Sequence, residues 1–234
     1  MTFRRLFTAV ALFSTLLSGC AADKNPMTVN AVSAASAKGG MVATRSALAS
    51  QVGANILGRG GNAIDAAVAV GFALAVTHPA AGNLGGGGFM VIGLADGTTV
   101  ANDHREMAPG RATKDMFLDI DSQVVEGLSI RSHLASGVPG SVAGLLDALT
   151  KYGTMSRAEV LQPAIDLAKN GIVLGEDLAG SFQRNSQKFA NYPASAAIFS
   201  RDGQAYEVGD LWVQADLAAA LERIKAEGKA GFYA

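Results

Sequence analysis

Arg105 and Glu106 stand side by side in residues 103–109, which read DHREMAP. An arginine offers a planar fork that can hold a carboxylate through two parallel hydrogen bonds, which the point charge of lysine cannot do. The competing partners are internal, because Asp103, Glu106 and Asp115 all lie close in sequence. On spacing alone a ligand carboxylate and an ion pair both remain open. His104 is of a type that exchanges protons near neutrality, or it is partly buried and structural. His78, before Pro79, and His133 are isolated, and Ser46, Ser50, Ser136 and Ser141 lack the glycine context of a nucleophile elbow. No carboxylate pair or His/Cys cluster has catalytic or metal-ligand spacing. The residues therefore offer a ligand-gripping arginine for a small-molecule substrate, with no catalytic set, metal site or cofactor site.

Residues 82–90, GNLGGGGFM, carry four consecutive glycines, Gly85, Gly86, Gly87 and Gly88. Each glycine loses more backbone entropy on ordering than any other residue, so such a run marks positive φ or a very close approach of backbones. Phosphate-cradling loops follow a strand and open a helix. Here the order is reversed, helix before and strand after, and no Lys-Ser/Thr pair follows. The dinucleotide fingerprint fails for the same reason. A structural role, a crowded backbone core, is the reading that remains.

The surrounding pattern says which elements position these residues. Residues 41–43 (MVA) suggest a short strand. Residues 47–57 place Leu48, Val52 and Ile56 on one helical face, with Gly60-Gly61 as a stop. Asn62 suits the N-cap of a second helix over 63–76, apolar almost all round and hence buried. Residues 89–94 and 98–101 around Asp96-Gly97 predict a hairpin leading directly into Arg105. Residues 113–133 read as loop and short elements, and Pro139 as the first position of a helix over 140–149. Further helices are expected over 157–169, 178–189 and 215–226. The sum is mixed α and β, with the β content early.

The chain has 234 residues, 49% hydrophobic, with a net charge of −1 and no polybasic block. Nucleic-acid binding is thereby disfavoured. Arg4 and Arg5 precede an apolar run of about twelve residues, too short for a membrane span and matching a secretory leader. Leu17-Ser18-Gly19-Cys20 then looks like the lipid-attachment box of bacterial lipoproteins; an ordinary signal peptide with a stray cysteine is the alternative. The sequence thus predicts a signal peptide over 1–19, a lipidated Cys20, a tether over 20–38 and a globular portion over 39–234. The location implied is exported and periplasmic, anchored to a bacterial membrane through lipid. A lone cysteine forms no internal disulfide, so the fold relies on packing. Without Arg4 and Arg5 the bases fall from 19 to 17 against 20 acids, a mildly acidic chain.

Several long motifs occur in order: GMVAT (40–44), GGNAIDAAVAV (60–70), THPAAGNLGGGGFM (77–90), DHREMAP, SHLASGVPGSVAGL (132–145), KYGTM (151–155) and GFY near the end. Together they resemble the γ-glutamyltranspeptidases, also called glutathione hydrolases, across 39–234. The resemblance implies an N-terminal-nucleophile hydrolase fold, an α+β αββα sandwich of which only part of the large-subunit contribution is present. It implies a precursor that cuts itself before a threonine, which then attacks the γ-glutamyl amide with its own α-amine as base. It further implies that Arg105 grips the glutamyl α-carboxylate and that Glu106 orients it. The nucleophile of such enzymes lies in the small subunit, and Thr44, Thr77, Thr98 and Thr154 match no such motif. The expectation is a glutathione or γ-glutamyl hydrolase and transferase whose active form needs a small subunit from the same precursor. A cephalosporin- or glutaryl-type acylase and a non-catalytic exported domain are the alternatives.

Overall fold

The computed structural model describes residues 35–234; the leader, Cys20 and all but the end of the tether lie outside the described residues. Helix α1 (Ala47–Gly58) and helix α2 (Ala63–Thr77) open the fold. In α2 nearly every side chain is small and apolar, and Val68, Ala69, Phe72, Ala73 and Val76 have no accessible surface. Such a helix has no polar face to give to water, so other helices surround it. They are α1, α4 (Ser141–Tyr152) and α5 (Arg157–Asn170), with α8 (Ala215–Glu227) packed on the far side of α5.

The start of α2 is fixed by a reciprocal cap. The Asn62 side chain accepts from the N–H groups of Ile64 and Asp65, and the Asp65 carboxylate accepts from the Asn62 N–H at 2.8 Å. Asp65 is fully buried and also accepts from the Thr154 hydroxyl and from the N–H groups of Thr154 and Met155. One carboxylate thus joins the entrance of α2 to the connection between α4 and α5.

Strands β1 (Gly88–Gly93) and β2 (Thr99–His104) form an antiparallel hairpin, with Phe89 opposite Asp103 and Ile92 opposite Val100. Gly97, at φ +87°, sits in the turn, and the Asp96 carboxylate accepts from the Thr98 N–H. Ile92 joins the helical core, and the Asn102 side chain donates to the Gly144 carbonyl of α4 at 3.1 Å. The other face of the hairpin has no helix on it among the described residues.

Beyond Arg105 come α3 (Leu128–Arg131), a 3₁₀ turn (His133–Ala135) and then α4. Later elements are β3 (Ile172–Val173), α6 (Glu176–Ala190), α7 (Pro193–Phe199), β4 (Ser200–Arg201), β5 (Gln204–Ala205), β6 (Leu211–Trp212) and α9 (Ala230–Tyr233). Strand β3 pairs with β6 and β4 with β5, both antiparallel. The apolar core extends there through aromatic rings, with Phe182 edge-on to Trp212 at 4.9 Å and Phe189 stacked on Phe199 at 4.6 Å. The end of the described chain is tied back: the Tyr233 hydroxyl donates to the Pro139 carbonyl at 2.8 Å and accepts from the Ala143 N–H at 3.1 Å.

Three expectations need correction. Residues 41–43 are not a strand, because no strand lies alongside them to complete a ladder among the described residues; Val42 instead packs against Gly53 of α1. Helix α4 starts at Ser141, capped by Gly140, since the N–H groups of Gly140 and Ser141 both bond to the Gly86 carbonyl. Strand is not confined to the early chain, as the short β3–β6 and β4–β5 ladders show. The fold is mixed helix and strand, and no described helix is long and apolar enough to cross a membrane.

Candidate functional site

The glycine loop reaches Arg105 through the backbone. A Cβ on Gly87 would lie 2.6 Å from the His104 carbonyl oxygen and 2.8 Å from the Glu106 nitrogen. On the other side a Cβ on Gly137 would meet the Glu106 Cβ at 2.9 Å, and one on Gly140 or Gly144 would run into the backbone or side chain of His104. Four glycines thus enclose residues 104–106 from two directions, a close approach that any side chain would block. A short bridge continues the clamp, with the Met107 N–H donating to the Val138 carbonyl at 3.1 Å and the reverse bond at 2.8 Å.

The four consecutive glycines are not equivalent. None of Gly85, Gly86, Gly87 and Gly88 has positive φ. Gly85 meets nothing closer than 3.8 Å, Gly86 meets only the Asn83 side-chain oxygen at 2.7 Å, and Gly88 meets the His104 ring at 3.2 Å. Gly87 alone faces backbone at distances that cannot relax. Gly86 contributes through its carbonyl, the acceptor for the N–H groups of Gly140 and Ser141.

On this base Arg105 projects from the open face of the hairpin. Its N–H donates to the Asp103 carboxylate at 3.0 Å and its Nε to Glu106 Oε2 at 2.8 Å. The side chain is 59% exposed, and the guanidinium carbon lies 5.7 Å from the centre of the Phe89 ring. The hydrogen bond and charge of Glu106 raise the already high pKa of Arg105, and the same bond holds the Glu106 carboxyl below its usual range. Both groups are therefore charged at neutral pH. The pair with Glu106 is the internal partner that spacing left open, and it occupies Nε alone. The fork's terminal nitrogens have no protein partner among the described hydrogen bonds.

His104 points the other way, its ring wedged between Gly88 and Gly144. Its Nδ1 is buried and has no hydrogen-bond partner among the described residues. Neither it, His78 nor His133 is hydrogen-bonded to a serine or threonine hydroxyl there. Thr44, Thr77 and Thr154 spend their hydroxyls on Ser46, Ala73 and Asp65 respectively. No group of three or more His, Cys, Asp or Glu positioned to hold a metal occurs among the described residues. A cavity of about 450 Å³ between α1, the end of α2 and α6 includes His78 but no residue of the hairpin.

The alternation along the hairpin completes the geometry. Phe89 and Val91 are 66% and 75% exposed on the side away from the helices, and Met107 just beyond is 73% exposed. A strand with water on one face carries polar residues there. Phe89 and Val91 instead make β1 apolar on both faces. Sequence reading did not single out Phe89, nor the enclosing Gly137, Gly140 and Gly144. Their signals were present in the unbroken apolar run of 89–92 and in glycines spaced three and four apart at a helix entrance.

The gamma-glutamyltranspeptidase family model matches residues 49–234. The chain is 54% identical over 198 residues to the glutathione hydrolase proenzyme of Escherichia coli, covering 84% of this chain and 34% of that protein. It is 42% identical over 200 residues to the acylase ACY 1 proenzyme of a Pseudomonas species, covering 83% of this chain and 36% of that protein. The crystal structure of Helicobacter pylori gamma-glutamyltranspeptidase superposes with a TM-score of 0.83 at 49% identity, over 86% of this chain and 58% of that one. The chain spans little more than a third of the length of these curated relatives.

Proposed function

The chain belongs to the γ-glutamyltranspeptidase family, and we propose that it is the N-terminal portion of the large subunit of an exported γ-glutamyltransferase and glutathione hydrolase. In this reading Arg105 holds the α-carboxylate of the γ-glutamyl donor. Glu106 orients the guanidinium, and a small subunit cut from the same precursor supplies the attacking threonine. That threonine displaces the amine of the γ-glutamyl amide to form an acyl-enzyme, which water or an acceptor amine then resolves. Oxyanion charge is met by backbone N–H groups. The observation that carries the reading is the fork of Arg105, bonded to Glu106 through Nε only and set on a backbone that four glycines fix.

The apolar outer face of the hairpin supports a second layer. Val91 would be covered by a further sheet, with Phe89 at the rim beside Arg105, giving the αββα arrangement in which residues 39–234 are one part. The leader over 1–19, lipidation of Cys20, the tether over 20–38 and periplasmic anchoring belong to the same proposal, supported by the basic start and the apolar run that follows it.

The test uses the full-length protein. Arg105→Lys keeps the charge but loses the planar fork, and removing a charged hydrogen bond of this kind costs about 1.5–3 kcal/mol. KM for glutathione should rise at least about tenfold, the equivalent of 1.4 kcal/mol. Unchanged KM and kcat in that variant would overturn the assignment. The acylase alternative has support in the likeness to the ACY 1 proenzyme. Faster turnover of glutaryl amides than of glutathione by the wild-type protein would favour it.

A further inference from the structure

Phe89 lies directly across the ladder from Asp103, and Arg105 follows Asp103 by two residues, so all three project from one face of the hairpin. The guanidinium carbon stands 5.7 Å from the centre of the Phe89 ring, inside the range at which a ring face attracts a cation. The ring is two-thirds exposed and does not belong to the helical core. Arg105 is therefore held by three contacts of different kinds: its own N–H on Asp103, its Nε on Glu106 and its guanidinium carbon over the Phe89 ring.

The combination has a geometric consequence. Left to itself, a guanidinium beside a carboxylate turns edge-on and closes a two-point bond with it. With Glu106 adjacent in sequence, that closure would use a second nitrogen of the fork on an internal partner. Here only Nε reaches Glu106. A ring face that attracts the cation opposes its swing towards Glu106 and so favours terminal nitrogens that stay off that carboxylate.

We propose that Phe89 is a positioning residue for substrate recognition, acting through Arg105 to keep the terminal nitrogens free for a substrate carboxylate. This rests on the reading of Arg105 given above. Phe89 itself makes no bond to the substrate in the reaction. Its contribution is to the binding of donors that carry the α-carboxylate, and not to the chemistry at the amide.

The experiment compares two donors on the full-length protein: a γ-glutamyl anilide, and the γ-aminobutyryl anilide that lacks only the α-carboxylate. Phe89→Leu and Phe89→Met should raise KM for the first donor about two- to fivefold, the worth of an exposed cation–ring contact, with kcat nearly unchanged. KM for the second donor should not move, and Phe89→Tyr should restore the wild-type value for the first. A purely structural role would shift both donors together and would show as a lower melting temperature or slower self-cleavage. Equal effects on the two donors, or no rise in KM with Leu and Met, would overturn the proposal. Arg105→Ala serves as the reference. If it abolishes discrimination between the donors while the Phe89 variants do nothing, the positioning role alone is wrong. If Arg105→Ala leaves discrimination intact, the reading of Arg105 fails as well.

Discussion

At the scale of single residues, the site is built by exclusion of side chains as much as by their presence. Gly87 stands 2.6–2.9 Å, in the sense of a missing Cβ, from the backbone of His104, Arg105 and Glu106, whereas Gly85 has open space around it. The two positions are adjacent in kind and opposite in constraint. Gly87→Ala should therefore reduce the yield of folded, self-processed full-length protein sharply, since the atoms it meets are backbone and cannot move aside. Gly85→Ala should leave yield and melting temperature almost unchanged. Circular dichroism melting and the extent of self-cleavage on a gel read both. Equal behaviour of the two variants would contradict the close-approach account. The glycine run was legible in the sequence as a crowded backbone, but not which glycine bears the constraint. That depends on the backbone of residues 104–106 folding back against Gly87 from seventeen to nineteen residues downstream.

Among the elements, local chemistry was readable where it closes on itself. Asn62 and Asp65 form a cap within one helical turn, so the start of α2 could be read from sequence. The strand expected at 41–43 could not be settled locally, because a strand exists only if another lies beside it. The further work of Asp65, holding Thr154 and Met155 some ninety residues away, was hidden for the same reason. Burial opposes the charge on Asp65, but hydrogen bonds from the Thr154 hydroxyl and from the Met155, Asn62 and Thr154 N–H groups outweigh it and hold its pKa below the ordinary value. A carboxylate with a depressed folded-state pKa adds stability above its unfolded pKa of about 3.9, and that stability is lost as pH falls through the lower folded-state value. Asp65→Asn in the full-length protein should lose about 1–3 kcal/mol at neutral pH, because buried donors are left without their acceptor. The gap to wild type should narrow as pH falls below about 4, because the unfolded chain then takes up a proton that the native carboxylate still refuses. Urea titrations at several pH values measure this, and a gap that widens on acidification would contradict it.

For the whole molecule, the informative feature is an apolar sheet face with nothing described upon it. Phe89 and Val91 point outward from β1, and Arg105 rises at the rim of the same face. The family relationship supplies a reason, since these residues span little more than a third of the length of the curated relatives. Val91→Lys should accordingly impair assembly or maturation of the full-length protein, with a loss of at least about 1.5–3 kcal/mol, the value of burying one such side chain. Normal processing and melting for that variant would show the face is not covered. Covered in this way, the face would bring the Arg105 guanidinium to the edge of a space shielded from water, where a charged hydrogen bond to a ligand is strongest. The central claim is that Arg105 binds the acid end of the donor, and a double comparison tests it directly. Specificity constants of wild type and Arg105→Ala are measured for a γ-glutamyl amide and for the same amide lacking the α-carboxylate. The wild type should prefer the carboxylated donor by about 10–150-fold, the equivalent of 1.5–3 kcal/mol, and the variant should lose that preference. A variant that retains the wild-type preference would show that another group holds the carboxylate.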